Sequence, residues 1–318
     1  MDELLNRCHA AHLRVLEDFK KVCSKHNLKW YAFCGTLLGA VRHKGFVPWD
    51  DDLDICMMRN DYNLFLYYAK TEMPEYFIDT YDSYHPEERR HYDFVGITRI
   101  NNTYSPRLDS EFLETYGGFP YSAGIDLYPL DYVPNDEIYD VAISVYKFVI
   151  MTGYKYKSIN WELYIPPAVP NKTLDSMFKE IKRATGEQIN PKKDVLKQLN
   201  DLAVKISTYT KSSDRVACMM HTAFEKKMIF KVSWFKERIE VPFEDTTIFV
   251  PAGYDEILKV NYGRNYMIPN MRVPHEYPYY KFQERIIKEI IQHHPALAEQ
   301  IPEYFMEDLK EKTEKGGE

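Results

Sequence analysis

Gly35-Thr36-Leu37-Leu38-Gly39, followed by Pro48-Trp49-Asp50-Asp51-Asp52-Leu53-Asp54-Ile55, is the stretch whose reading decides the fold of this chain. Glycine has no Cβ, so the backbone at Gly35 can approach a phosphate closely. The acidic half places Asp at 50, 51, 52 and 54, directly before the apolar run Ile55-Cys56-Met57-Met58. That run reads as a strand entering a core. Alternation along a strand puts Asp52 and Asp54 on one face, with Leu53 opposed between them. Neighbouring carboxylates repel unless a positive charge joins them, and hard oxygen ligands favour Mg2+ or Mn2+. The expectation is a divalent-metal site for a phosphate-bearing substrate. A merely solvated acidic turn is disfavoured by Gly35-Thr36 upstream, by the basic Arg42-His43-Lys44 between, and by the apolar Leu53 and Ile55. An EF-hand is disfavoured because no Gly takes the turn position and no Glu closes the loop.

Upstream, residues 3–25 carry an apolar stripe at helical spacing, from Leu4, Leu5 and Cys8 to Val22 and Cys23. Trp30 to Cys34 reads as a short buried strand, and Thr36 to Val41 as a helix whose first amides face an anion near Thr36. Downstream, Arg59 to Ala69 reads as a helix with Asp61 as its cap, and 76–81 and 92–100 read as strands. Arg99 shares a strand face with apolar residues and needs a partner, either a phosphate or a structural carboxylate. Residues 102–122 form a long polar connection, the kind that often carries function. In the strand from Gly124 to Asp131, Asp126 stands between apolar neighbours. It is the natural third member of the acidic site, or else a carboxylate held by backbone amides or a buried Arg.

The order of elements reads as α+β, strands and helices with an added helical subdomain. Residues 1–135 form the catalytic core and 136–213 the helical part, with helices at 138–150, 173–184 and 192–211. Residues 214–318 complete the core, with β segments at 214–220 and 238–250. Ile239-Glu240-Val241 and Thr247-Ile248-Phe249-Val250 flank Glu244-Asp245 as a hairpin would. A short helix from Tyr254 to Val260, ending near Gly263, and a last helix at 281–293 follow.

With a net charge of −7, no global basic field recruits nucleic acid, and an anionic substrate must be captured locally. The five cysteines have neither CxxC nor zinc spacing, which fits buried free thiols in a reducing compartment. The opening Met-Asp-Glu lacks the basic and apolar regions of a signal peptide, and no run reaches membrane-spanning length. A cytoplasmic protein without a transmembrane segment is expected.

From Tyr31 to Ile55 the sequence resembles, without a gap, the LicD family of phosphocholine transferases, relatives of fukutin and fukutin-related protein. Weaker likeness lies in Arg59-Asn60-Asp61-Tyr62, in Ile125 to Asp131, and from Tyr254-Asp255 to Tyr262-Gly263-Arg264-Asn265-Tyr266-Met267. The resemblance implies a nucleotidyltransferase-like fold, a twisted mixed β-sheet flanked by helices. Its Gly-Gly/Ser/Thr and Asp-h-Asp-h pattern falls on Gly35-Thr36 and Asp52-Leu53-Asp54-Ile55, and its third carboxylate on Asp126. It implies transfer of a phospho-alcohol, usually phosphocholine, from CDP-choline or a related CDP-alcohol to a glycan hydroxyl, as in teichoic acid or lipopolysaccharide decoration. Asp52, Asp54 and Asp126 would then be the catalytic and metal-binding set around Mg2+ or Mn2+, with Asp126 as ligand or base. Gly35, Thr36, Arg42, His43, Trp49 and Arg99 would bind substrate. A quaternary ammonium cargo needs aromatic faces, for which Trp49, Tyr116, Tyr121 and Tyr128 lie near the motifs. The competing expectations are a nucleotidyltransferase using an NTP or CDP-linked donor, and a non-catalytic glycan-binding protein on the same fold.

Overall fold

The computed structural model describes residues 3–80, 97–133, 213–219, 228–269 and 280–293, together with part of 176–205. The first helix, α1 (Glu3–Lys25), buries Leu4, Leu5, Cys8, Val15, Leu16, Phe19, Val22 and Cys23 along one stripe. Asn27 ends the run in the left-handed region at φ 52°, and the Leu28 amide returns to the Cys23 carbonyl at 2.8 Å. Asn tolerates that conformation, which lets the chain reverse into the sheet. Phe19 sits edge-on to Trp30 at 5.5 Å and tilted on Phe65 at 4.8 Å. Full burial of such a ring contributes about 2–3 kcal/mol, so this cluster anchors α1 to the sheet.

The two-residue strand β1 (Tyr31–Ala32) passes at once into α2 (Cys34–Arg42). Cys34 takes φ 40°, a left-handed value at a residue that carries a Cβ, where strand turns into helix. Next come β2 (Asp54–Met58) and α3 (Arg59–Glu72), then β3 (Phe77–Asp79) and β4 (Thr98–Asn101). A short helix, α4 (Ser110–Thr115), and the long strand β5 (Gly124–Tyr132) follow. The sheet order is β1-β2-β5-β4-β3, with only β2 and β5 parallel. The far end of β5 continues the sheet through β6 (Arg215–Ala217) and β7 (Phe230–Lys231). A separate hairpin of β8 (Arg238–Phe243) and β9 (Thr246–Pro251) turns at Glu244-Asp245, as the sequence predicts. It packs on the β1 side, where Trp30 meets Phe249 edge-on at 5.1 Å. The helices α5 (Tyr254–Tyr262) and α6 (Lys281–His293) complete the described part, with Gly263 at φ 84° closing α5.

This is the expected mixed α+β arrangement: a curled mixed sheet flanked by helices. The helices expected at 138–150 and 192–211 lie wholly or mostly outside the described residues, as does most of the strand expected at 92–100. Two local expectations shift. Asp61 stands in the first turn of α3 rather than at its cap, which is Met58. The polar connection 102–122 contains α4, capped by Asp109, whose carboxylate accepts the Phe112 amide at 3.1 Å.

Candidate active site

Strand register assembles the acidic site. Asp54 opens β2 and lies directly opposite Asp126 of β5; Asp126 in turn lies opposite Arg99 of β4, and Arg99 opposite Asp79 of β3. Directly opposed residues project to the same face with Cβ atoms about 4.5–5.5 Å apart. A single row thus reads Asp, Asp, Arg, Asp across four strands. Arg99 donates from Nε to Asp126 Oδ1 at 2.9 Å and from Nη2 to Oδ2 at 3.3 Å. Burial works against the Arg99 charge, but the Asp126 carboxylate more than offsets it, and the guanidinium pKa is raised. At the end of the row, the Tyr104 hydroxyl donates to Asp79 Oδ1 at 2.5 Å.

Asp54 is fixed from the α2 side. Its amide donates to Thr36 Oγ1 at 2.7 Å, and its carboxylate accepts the Gly35 amide at 3.2 Å. The helix N-terminus that the sequence assigns to a phosphate therefore faces a carboxylate, with the Thr36 hydroxyl already used as an acceptor. Burial, then Asp126 and Asp50, push the Asp54 pKa well above the ordinary range, while bonds from Tyr128 and Gly35 oppose the rise. Asp52 is raised likewise, by burial and then by Asp54, Asp50 and Asp126. Asp54 is only 5 % exposed, whereas Asp52 is half-buried and the Asp126 and Arg99 side chains are 18 % and 30 % exposed. The acidic row is reachable from solvent along that edge.

The loop carrying Asp50 and Asp51 is pinned from behind by α1. His9 Nε2 lies 2.6 Å from the Asp50 carbonyl, and His12 Nε2 lies 2.9 Å from the Asp51 carbonyl. His12 Nδ1 also reaches the Gly124 backbone, so one ring ties the acidic loop to the start of β5. Burial lowers the His12 pKa to about 4, which keeps the ring neutral. Gly35 leaves room on the other side: a Cβ there would lie 2.4 Å from Asp50 Oδ2. Sequence reasoning missed both histidines as loop supports. The available signal was two imidazoles three residues apart on the apolar face of a helix.

Arg42, His43 and Trp49 form a second group. Arg42 donates from Nη1 to the Tyr266 carbonyl and from Nε to His43 Nε2, each at 2.8 Å. Burial and the Arg42 charge lower the His43 pKa, consistent with a neutral acceptor ring. Trp49 meets His43 edge-on at 6.4 Å. Tyr262, not singled out from sequence, belongs with the acidic group. Its phenol pKa is raised well above normal by burial and then by Cys34, Asp54, Asp50 and Asp52, while the residue remains 44 % exposed. Of the four rings proposed for an ammonium cargo, Tyr128 bonds to Asp54 and Trp49 sits by His43. The other two are core rings: Tyr116 packs on Phe112 at 4.7 Å, and Tyr121 stacks with Tyr280 at 5.7 Å. At the opposite end of β2 and β5, Arg59 grips Asp131 with two bonds of 2.7 Å.

No three His, Cys, Asp or Glu side chains converge into a closed metal cage among the described residues. The donor set fits a less enclosed ion. Asp52 and Asp54 supply hard oxygens in a place where burial and neighbouring carboxylates raise both pKa values, and both Asp126 oxygens already accept from Arg99. Mg2+ is commonly held by one or two carboxylates together with substrate phosphates and water, and this arrangement leaves that many ligands for the protein to supply.

Residues 27–118 match a family model described as the LicD/FKTN/FKRP nucleotidyltransferase domain. The lipopolysaccharide cholinephosphotransferase LicD of Haemophilus influenzae is 24% identical over 267 residues, covering 81% of this chain and 89% of that protein. Uncharacterized proteins of Rickettsia prowazekii and Rickettsia typhi are each 48% identical over 48 residues, 15% of this chain and 18% and 16% of theirs. The matched segment holds Gly35, Thr36, Asp52, Asp54 and Arg99, and Asp126 follows shortly after it. Over residues 27–118 the chain is thus similar to the LicD-type nucleotidyltransferase domain, and over most of its length to a LicD cholinephosphotransferase.

Proposed function

We propose that this chain transfers a phospho-alcohol, phosphocholine first among them, from a CDP-activated donor to a hydroxyl of a cell-surface glycan or its precursor. The observation that carries the reading is the pairing of Asp54 with Asp126 in the parallel register of β2 and β5, beside Asp52 and with Arg99 across the row. The likeness to a lipopolysaccharide cholinephosphotransferase supports the choice of cargo and acceptor.

In this reading Asp52 and Asp54 would hold a divalent ion, Mg2+ or Mn2+, which would supply positive charge beside the diphosphate. The acceptor oxygen forms a bond to the phosphorus that carries the alcohol, and the bond from that phosphorus to the bridging oxygen of CMP breaks. The acceptor proton passes to Asp126, whose orientation is fixed by the Arg99 fork. Arg99, partly open to solvent, also lies where a phosphate oxygen can share its donors. Trp49 and Tyr262 offer ring surface to a quaternary ammonium, an interaction of about 0.5–2 kcal/mol per well-placed ring.

The test supplies the purified chain with Mg2+, CDP-choline and a lipopolysaccharide or teichoic acid acceptor, and follows products by phosphorus NMR. Free CMP with a phosphodiester on the glycan is the expected result. Pyrophosphate release would replace this reading with a nucleotidyltransferase, and glycan binding without nucleotide turnover would replace it with a binding protein.

A further inference from the structure

Behind the acidic loop lies a cleft of about 300 Å3, formed where α1, the loop at Phe46–Pro48 and the β8–β9 turn meet. Leu13 and Phe46 contribute apolar surface, and Asn6, His9, Glu244 and Asp245 contribute polar groups; no Lys or Arg lines it. The hydrogen-bonding pattern of these groups follows from their other partners. His9 is 8 % exposed and stacks on Phe46 at 4.0 Å, and its Nε2 faces the Asp50 carbonyl. A carbonyl oxygen only accepts, so Nε2 carries the hydrogen and Nδ1 of the neutral ring keeps a lone pair. No protein group among the described residues answers that lone pair. Glu244 is held in position: its Oε1 accepts the Phe46 amide at 2.9 Å, and its own amide donates to the Lys44 carbonyl at 2.8 Å. Gly45 makes room for it, since a Cβ there would lie 2.0 Å from Oε1. The cleft thus offers acceptors and negative charge over an apolar floor, with a volume near the lower end for small-molecule pockets.

We infer that this cleft binds a small aliphatic ammonium ion bearing N–H donors, at a site separate from the carboxylates of the acidic row. The N–H groups are shared between Glu244, Asp245 and His9 Nδ1, and the carbon chain lies against Leu13. Separation follows from Asp50, which presents its carbonyl to His9 and its carboxylate to Gly35. A quaternary ammonium has no N–H to offer Nδ1, so the cleft discriminates against choline, and glycerol lacks the charge. His9 places the bound ion one residue from the acidic loop.

The experiment titrates the full chain, free of metal and nucleotide, with ethanolammonium, choline and glycerol, reading the Phe46 amide by nitrogen-15 NMR. The expected result is a saturable shift with ethanolammonium and weaker binding of the other two. Glu244→Gln keeps an acceptor for the Phe46 amide but removes the charge, and lowers ethanolammonium affinity by about tenfold, the worth of a charge-assisted hydrogen bond. Leu13→Trp fills the cleft and abolishes the response. An absent or unsaturable shift, equal binding by Glu244→Gln, or choline or glycerol binding as tightly as ethanolammonium, overturns the inference. These outcomes do not involve transferase turnover, so they stand apart from the test of the proposed function.

Discussion

Arg99 holds both oxygens of Asp126, at 2.9 and 3.3 Å, while Asp54 opposes Asp126 on the neighbouring strand. The guanidinium is the cation of the row, set against a carboxylate pair that would otherwise repel. Arg99→Met therefore leaves Asp126 beside Asp54 without compensation and lowers stability by about 2–4 kcal/mol, as expected for removing one partner of a largely buried pair. Arg99→Lys restores the charge but not the fork, so it recovers most of the melting temperature and little of the turnover. Thermal denaturation and CMP release, measured on both variants, separate the two roles.

Asp52 and Asp54 are destabilised as anions by burial and by neighbouring carboxylates, Asp54 and Asp50 acting on Asp52 and Asp126 and Asp50 on Asp54, and a cation relieves that repulsion. Mg2+ is expected to raise the melting temperature of the wild-type chain and to leave Asp54→Asn unchanged, by mass action on a site only the former possesses. The same substitution lowers transfer by at least about a thousandfold if the carboxylate holds the ion that stabilises the leaving group. Wild-type turnover by both Asp52→Asn and Asp54→Asn would refute the assignment.

His12 supplies a pH dependence. Its folded pKa of about 4 lies below the ordinary 6.5. The folded chain thus binds fewer protons here than the unfolded one, and stability present above pH 6.5 is lost as pH falls toward 4. By pH 4 this loss amounts to about 3 kcal/mol. Urea denaturation across that window is expected to show the acid slope, and His12→Gln, which can bond but not titrate, to flatten it.

Two glycines should respond differently to the same added methyl. Gly124→Ala drives a Cβ to 1.8 Å from the Ile100 carbonyl, which is backbone of a paired strand and cannot move aside. A loss of about 3 kcal/mol or more is expected. Gly35→Ala meets the end of the Asp50 side chain at 2.4 Å, and that group can rotate. It should fold with a cost of about 1 kcal/mol while disturbing the acidic site, so melting temperature and turnover move independently.

The elements were legible in sequence because their signals are local. The apolar stripe of α1, the turn at Glu244-Asp245 and the glycine at the end of α5 each appear within a few residues. Pairing was not. The partner of Arg99 remained open between a phosphate and a carboxylate until β4 was set against β5, which selects Asp126. Thr36 and Gly35 were expected to meet a phosphate, yet both bond to Asp54, because β2 brings its first residue against the start of α2. Asp52 and Asp54 were placed on one strand face, but β2 begins only at Asp54. Residue types told which groups would gather; only register told which would touch. The two histidines stood out on the apolar face of α1, but nothing in that helix names the distant loop whose carbonyls they meet.

His12 joins the first helix, the acidic loop and the opening of β5 through one imidazole. During synthesis α1 emerges long before Gly124, so this three-way junction must wait for the central strand. Until that strand arrives, the nascent polypeptide has a helix and an acidic turn but no finished reaction chamber. Trimming or crowding the amino-terminal helix should consequently be felt at the carboxylates even though it removes none of them.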